Sequence, residues 1–297
     1  MEFDHSTEVN SEAPSFFESY SQGPFHKIDR LMKFDPKRNI PEGIYLDNRF
    51  VKLKMSNLES LEIRQEDQPI MRGGSAHNIS FFTLTCCSSQ GEKTIPVAVK
   101  EYKNTRNGVE EIRKIRELQR MGISTFSPVM YLKTSKASYF FTKTNFNVTS
   151  LDRYNWEDLY NEGGVNYNIS LDLLSGISKS LALIHSLGIL HGDPQLKNFV
   201  VDTLGKVKLI DWEACYIHNK RSTEELAMKD LGILYKSCIG LYENSKNNVF
   251  KGKGIDSWSM FKRLVIDSYV IYLMEKNIYI DEEKLENILR KHLNITF

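Results

Sequence analysis

The dominant hydrophobic period of the chain changes near Leu151, and that change limits the folds open to it. The runs 79–87 and 95–102 are rich in β-branched and aromatic residues, and 88–93 between them is turn chemistry, so together they predict a β-hairpin. Beyond Leu151 the spacing becomes helical. Leu173, Leu174, Ile177, Leu181 and Ile184 fall on one helix face, and Gly188 ends that helix. Strands in the first half and helices in the second predict an α+β chain with two lobes and a hinge near 143–147.

Finer elements fit this plan. A charged helical run over 108–121 carries Ile112, Ile115 and Leu118 at a spacing of three and stops at Gly122. Short strands are expected at 128–132, 137–142, 200–201 and 207–210, the last two about a turn at 202–205. Asp281 is placed to cap a late helix. The expected division is a poorly patterned segment over 1–40, a β-rich lobe over 41–146 and a helical lobe over 147–297. The first 25 residues carry five acids and no Lys or Arg. They suit a solvated tail, or alternatively an export or partner-docking segment.

Lys and Arg number 39 against 38 for Asp and Glu, a formal charge of +1, so the chain lacks the basic excess of a dedicated nucleic-acid binder. Cys86, Cys87, Cys215 and Cys238 include no CxxC pair, which argues against a disulfide framework or a cysteine-based zinc site and for a reducing, cytoplasmic setting. No run of about 18 apolar residues occurs, so no membrane span is expected. No basic segment followed by an apolar one opens the chain, so no Sec-type signal is expected either.

Five polar residues carry the chemical argument. Lys100 ends the strand Val97-Ala-Val-Lys100, and Glu111 lies in the next helix. Asp193 and Asn198 sit five positions apart in His191-Gly-Asp-Pro-Gln-Leu-Lys-Asn198, and Asp211 follows the apolar strand 207–210. Each has an ordinary structural explanation alone: an edge charge, a surface partner on a helix, the start of a turn. Together they match the needs of phosphoryl transfer, where catalysis is positioning plus charge neutralisation. A strand lysine can hold phosphates, one carboxylate can accept the proton of the attacking hydroxyl, and a carboxylate with an amide can offer Mg²⁺ the oxygen donors it prefers. The hairpin between Asn198 and Asp211 is of a length that folds the two side by side.

At these residues the chain resembles the protein-kinase-like superfamily, whose pattern is V-A-I-K, then H-R-D-x-x-x-x-N, then D-F-G after a strand. The counterparts are VAVK ending at Lys100, HGDPQLKN at 191–198 and DWE at 211–213. The resemblance implies a two-lobed fold with a β-rich N-lobe and a reduced helical C-lobe, and an enzyme using ATP and Mg²⁺. It implies that Lys100 binds phosphates and pairs with Glu111, that Asp193 is the catalytic base, and that Asn198 and Asp211 bind Mg²⁺. HGD with IDWE resembles the atypical minimal kinases: RIO-type, lipopolysaccharide-sugar, aminoglycoside and choline kinases, and the effector kinases that pathogenic bacteria deliver into host cytosol. Asp230, in Lys229-Asp-Leu-Gly, is implied to make a buried contact under the catalytic loop.

The departures are informative. Gly192 replaces the Arg that grips a phosphorylated activation loop, and only eighteen residues separate Asp211 from Asp230, so activity without loop phosphorylation is expected. Trp212-Glu213 replaces Phe-Gly, which restricts the backbone after Asp211. G-x-G-x-x-G does not occur. Gly73, Gly74 and Ser75 are the candidate phosphate cradle, with Arg72 beside them, although the same residues make an ordinary turn. The Lys that protein Ser/Thr kinases carry two places after the base is Gln195 here, and a Lys stands at 197. His191 is expected to pack beneath the loop, and Trp156, Trp212 and Trp258 to pack in the core.

The insert between the hinge and the Leu173 helix is short, which favours a protein Ser/Thr hydroxyl as the acceptor. The alternatives are a small molecule, such as a lipopolysaccharide sugar or an antibiotic, and a non-enzymatic pseudokinase scaffold. An activating partner is a further expectation drawn from other stripped-down kinases.

Overall fold

The computed structural model describes residues 28–30, 43–46, 58–65, 71–72, 78–88, 91–103, 105–133, 137–144, 148–156, 159, 167–202, 204–217, 223–240, 249–250 and 256–295. The candidate cradle Gly73, Gly74 and Ser75 lies outside these residues, as does most of the 1–40 segment. The chain forms two compact units. One is Met1–Thr105 with Ser127–Thr144, and the other is Arg106–Phe126 with Asn145–Phe297. The helix over 108–121, expected within the first lobe, thus groups with the later part of the chain.

The first unit is built on one sheet. Its strands are β1 (Ile28–Arg30), β2 (Gly43–Leu46), β3 (Leu58–Gln65), β4 (Met71–Arg72), β5 (Asn78–Ser88), β6 (Gly91–Tyr102), β7 (Pro128–Lys133) and β8 (Ser138–Lys143). The order is β1-β2-β7-β8-β6-β5-β3, with β4 on β5. Only β1 and β2 run parallel; the other pairs are antiparallel. The expected hairpin is β5–β6, closed between Ser88 and Gly91. Along β6, Ile95, Val97 and Val99 are buried while Pro96, Ala98 and Lys100 are half-buried. The two-residue period therefore sends Lys100 to the face opposite the apolar one.

The second unit opens with α1 (Thr105–Arg120). Its buried Ile112, Ile115 and Leu118 form the expected stripe. Gly122, at φ +83°, ends the helix: the Ile123 amide reaches back to the Leu118 carbonyl at 2.9 Å and the Gly122 amide to Gln119 at 3.2 Å, while Ile123 and Leu118 are both buried. Then come β9 (Thr149–Ser150), α2 (Tyr167–Ser186), β10 (Ile189–Leu190), β11 (Phe199–Val201), β12 (Val207–Leu209), β13 (Tyr216–Ile217) and α3 (Thr223–Gly240). α4 (Ser257–Phe261), a π-helical turn at Lys262–Ile266, α5 (Asp267–Glu275) and α6 (Glu282–Leu293) complete the described residues.

Two small sheets carry the loops of interest. β12, β11 and β9 form one antiparallel sheet, and β10 pairs with β13 in the other. The core lies among α2, α3, α5 and α6, with Leu173, Ile177, Leu181, Leu231, Leu234, Tyr269, Leu273 and Leu289 buried. The π turn is bonded into this core, because Ser178 Oγ lies 3.0 Å from the Val265 carbonyl as well as 3.0 Å from Leu174 in its own helix. Asp281 caps α6, accepting from the Lys284 amide at 2.9 Å. Trp156, Trp212 and Trp258 are all buried, as expected.

Candidate active site

The loop from His191 to Asn198 runs from β10 into β11, and its backbone is held from below by helix α3. Asp230, wholly buried, accepts from the amides of His191 at 2.8 Å and Gly192 at 2.9 Å. Two turns further along α3, Ser237 Oγ accepts from the Leu196 amide at 2.9 Å. Residues seven apart share a helix face, so one face of α3 meets both halves of the loop. Asp230 also bonds His185 Nε2 at 2.9 Å, and His185 Nδ1 lies 2.8 Å from the Tyr269 hydroxyl. The acceptor-only carboxylate requires the hydrogen on Nε2, and in the matching neutral tautomer Nδ1 accepts from the tyrosine. Burial pushes the ionisation of Tyr269 well above its ordinary range, so the hydroxyl keeps the proton it donates.

Gly192 adopts φ +85°, and a Cβ built there would stand 2.5 Å from the Ala214 carbonyl oxygen. Any side chain at this position meets backbone. The replacement of the usual Arg is therefore a steric requirement of this loop, in addition to the loss of a phosphate ligand noted from the sequence.

His191 joins the loop to the segment after β12. Its Nε2 donates to the Ile210 carbonyl at 2.9 Å and its Nδ1 accepts the Asp193 amide at 3.3 Å. Its ring lies 4.9 Å from that of Trp212. Burial lowers its pKa, opposed by Asp230, the Ile210 bond, Asp211 and Asp193. A neutral imidazole with both nitrogens engaged is a strut, as the sequence predicts.

Asp193 is held at both carboxylate oxygens. Gln195 Nε2 donates to Oδ1 at 2.6 Å, and Asn198 Nδ2 donates to Oδ2 at 3.1 Å and to the Asp193 carbonyl at 2.7 Å. Asn198 is itself buried, and its carbonyl takes the Ile210 amide at 2.8 Å, one residue before Asp211. The sequence expectation that this hairpin returns Asp211 toward Asn198 is met by the β11–β12 pairing.

Asp211 has φ +63°, a conformation costing a non-glycine residue roughly 1–2 kcal/mol. The residues that follow are tied down. The Trp212 amide donates to Glu111 Oε1 at 3.2 Å, and Lys114 Nζ donates to the Glu213 carbonyl. Glu111, Asp211 and Glu213 bring one carboxylate oxygen each to within 4.8 Å of one another. Oxygen donors of this kind suit Mg²⁺. Glu213 was not singled out in the sequence, because proximity to Glu111 depends on where α1 packs. Cys215, two residues on, is no nucleophile: burial pushes its thiol up to about 12.

Of the residues expected to act together, Glu111, Asp193, Asn198 and Asp211 all belong to the second unit, and Lys100 stands on β6 of the first. Lys100 Nζ lies 5.0 Å from the centre of the Tyr102 ring, two residues along the strand. Among the described residues no helix is long and apolar enough to cross a membrane. A search of curated proteins gives no match to the chain. A family model described as lipopolysaccharide kinase (Kdo/WaaP) matches residues 99–252, which begin beside Lys100 and include the loop, Asp211 and Asp230. That match covers more than half of the sequence, and the chain belongs to the lipopolysaccharide kinase (Kdo/WaaP) family, a family of ATP-dependent phosphotransferases.

Proposed function

We propose that this kinase transfers the γ-phosphate of ATP to a hydroxyl of a saccharide, with Asp193 orienting that hydroxyl and taking its proton as oxygen attacks phosphorus and the bond to ADP breaks. The observation that carries the reading is the grip on Asp193. Amides from Gln195 and Asn198 each occupy one lone pair of its carboxylate, which fixes the group and leaves further lone pairs for an incoming O–H. Gln195 is neutral, where a protein Ser/Thr kinase carries a cation. This departure and the family name both favour the sugar acceptor over the protein hydroxyl expected from the short insert.

In this reading Lys100 meets the nucleotide phosphates. Asp211, Asn198 and Glu213 offer oxygen ligands to Mg²⁺, an ion that neutralises phosphate charge when bound. Asn198, with its amide nitrogen on Asp193, has its amide oxygen available for that task.

The test is transfer of label from ATP, with Mg²⁺, to a Kdo-containing saccharide and to generic protein acceptors, beside Asp193→Ala. The expected result is labelled saccharide, falling by about a hundredfold or more in the variant. Label on protein alone would replace the saccharide by a protein hydroxyl. Equal signal from both proteins would return the chain to the scaffold alternative.

A further inference from the structure

We propose that Lys114 is a positioning residue for Asp211, latching the segment after β12 to helix α1 so that the metal-binding carboxylate is set before nucleotide arrives. The proposal deepens the reading above, since it rests on Asp211 binding Mg²⁺ with ATP.

Three observations meet at this point. First, Glu111 and Lys114 lie one turn apart on α1 and so share a face. Glu111 accepts the Trp212 amide, and Lys114 donates to the carbonyl of the next residue, Glu213. The helix thus presents an acceptor and a donor to a backbone donor and acceptor in consecutive residues. Second, the ammonium of Lys114 stands 5.4 Å from the centre of the Tyr216 ring, on the strand that ends this segment. Lys114 therefore touches the segment at two places, 213 and 216. Third, the residue held just upstream, Asp211, is in a left-handed conformation without being glycine. Such a backbone persists where its surroundings fix it.

The arrangement also places a cation against a segment whose neighbourhood includes the carboxylates of Glu111, Asp211 and Glu213. An ammonium bonded to the Glu213 carbonyl offsets repulsion among them and does so without occupying a carboxylate oxygen that Mg²⁺ needs. Lys114, Glu213 and Tyr216 line an open cavity of about 590 Å³ with Arg113 and Cys215, so solvent reaches the latch. Exchange of backbone hydrogens can therefore report on it directly.

The experiment uses the full chain as wild type, Lys114→Met and Lys114→Arg. Methionine keeps the apolar stem and removes the donor; arginine keeps a donor and a cation that stacks on tyrosine. Hydrogen exchange at the Trp212 and Cys215 amides should speed up about tenfold in Lys114→Met, as loss of a charge-assisted bond to this segment would give, and return near wild type in Lys114→Arg. Binding of Mn²⁺ with a non-hydrolysable ATP analogue, followed by electron paramagnetic resonance, should weaken about tenfold in the first variant and recover in the second. Unchanged exchange and unchanged Mn²⁺ affinity in Lys114→Met would overturn the proposal. If that variant does not fold, Lys114→Gln takes its place, with a smaller loss expected and wild-type behaviour overturning the latch. A wild type that binds no Mn²⁺ with nucleotide would sink the assignment of Asp211 instead, while the exchange data still judge the latch by themselves.

Discussion

Gln195 donates its side-chain amide to Asp193 Oδ1 across 2.6 Å, two residues along the same loop. The bond fixes one oxygen of the proposed base without placing a charge beside it. Gln195→Ala is expected to lower turnover about tenfold at saturating ATP while leaving the affinity for ATP within about twofold. Gln195→Glu, which sets a carboxylate against a carboxylate, is expected to cost more than the alanine. Steady-state rates over a range of ATP concentrations check both, and an equal fall in the two constants would move Gln195 from orienting the base to binding nucleotide.

Asp230 has no solvent contact and bonds two loop amides and His185. Asp230→Asn keeps the shape but turns an amide N–H₂ toward groups that donate. We expect a loss of about 3 kcal/mol in urea unfolding, in the range for breaking a buried charged network, together with loss of activity. A loss below about 1 kcal/mol would mean that the loop holds its shape without this anchor.

Gly192 and Gly122 form a matched pair. Both have positive φ, but a Cβ at Gly122 meets nothing within 4 Å, whereas at Gly192 it would stand 2.5 Å from a carbonyl oxygen. Gly122→Ala should cost only the left-handed conformation, about 1 kcal/mol. Gly192→Ala should cost that plus displacement of the Ala214 backbone, and should abolish phosphoryl transfer. Thermal unfolding and activity of the two variants, measured together, separate strain from overlap. Equal melting temperatures would show that the turn at Ala214 yields freely.

His191 supplies a pH dependence. Burial, the largest influence, lowers its pKa below the ordinary 6.5. Below pH 6.5 the unfolded chain takes up a proton that the folded chain refuses. Stability is therefore full above that pH and falls as pH drops toward the depressed folded value, by at most about 1.4 kcal/mol per pH unit from this one group. Urea unfolding between pH 7 and 5.5 should show a shallower slope for His191→Asn than for the wild type. Parallel slopes would mean that His191 takes up its proton as readily in the folded protein as in the unfolded chain.

Much of this was legible because it is local. The β5–β6 hairpin, the stripe of α1, the Gly122 stop and the Asp281 cap each depend on residues a few positions apart. The order of Lys100, Asp193, Asn198 and Asp211 was equally readable, and so was the seat of Asp230 under the loop. What the sequence could not give depends on packing across long separations. Lys114 meets a carbonyl 99 residues away, and Glu213 joins Glu111 only once α1 packs with the later part of the second unit. The π turn at Lys262–Ile266 has no pattern of its own, since Ser178 in another helix completes it. The family match favours the saccharide alternative over the protein hydroxyl expected from the short insert, and the reason is related. A short insert says how much chain is available, whereas the nature of the acceptor depends on what that chain builds.

Helix α3 carries Asp230 and Ser237 two turns apart, each bonded to loop backbone and neither to a loop side chain. A helix of this kind works as a jig: it holds the path of the main chain through backbone amides, while the demand for glycine at 192 comes from Ala214 and not from the helix. The half-buried side chains at 193, 195 and 197 can then be exchanged in the laboratory while the clamp stays in register. Conversely, transplanting the loop into a foreign scaffold without α3 would carry over its letters and lose its shape.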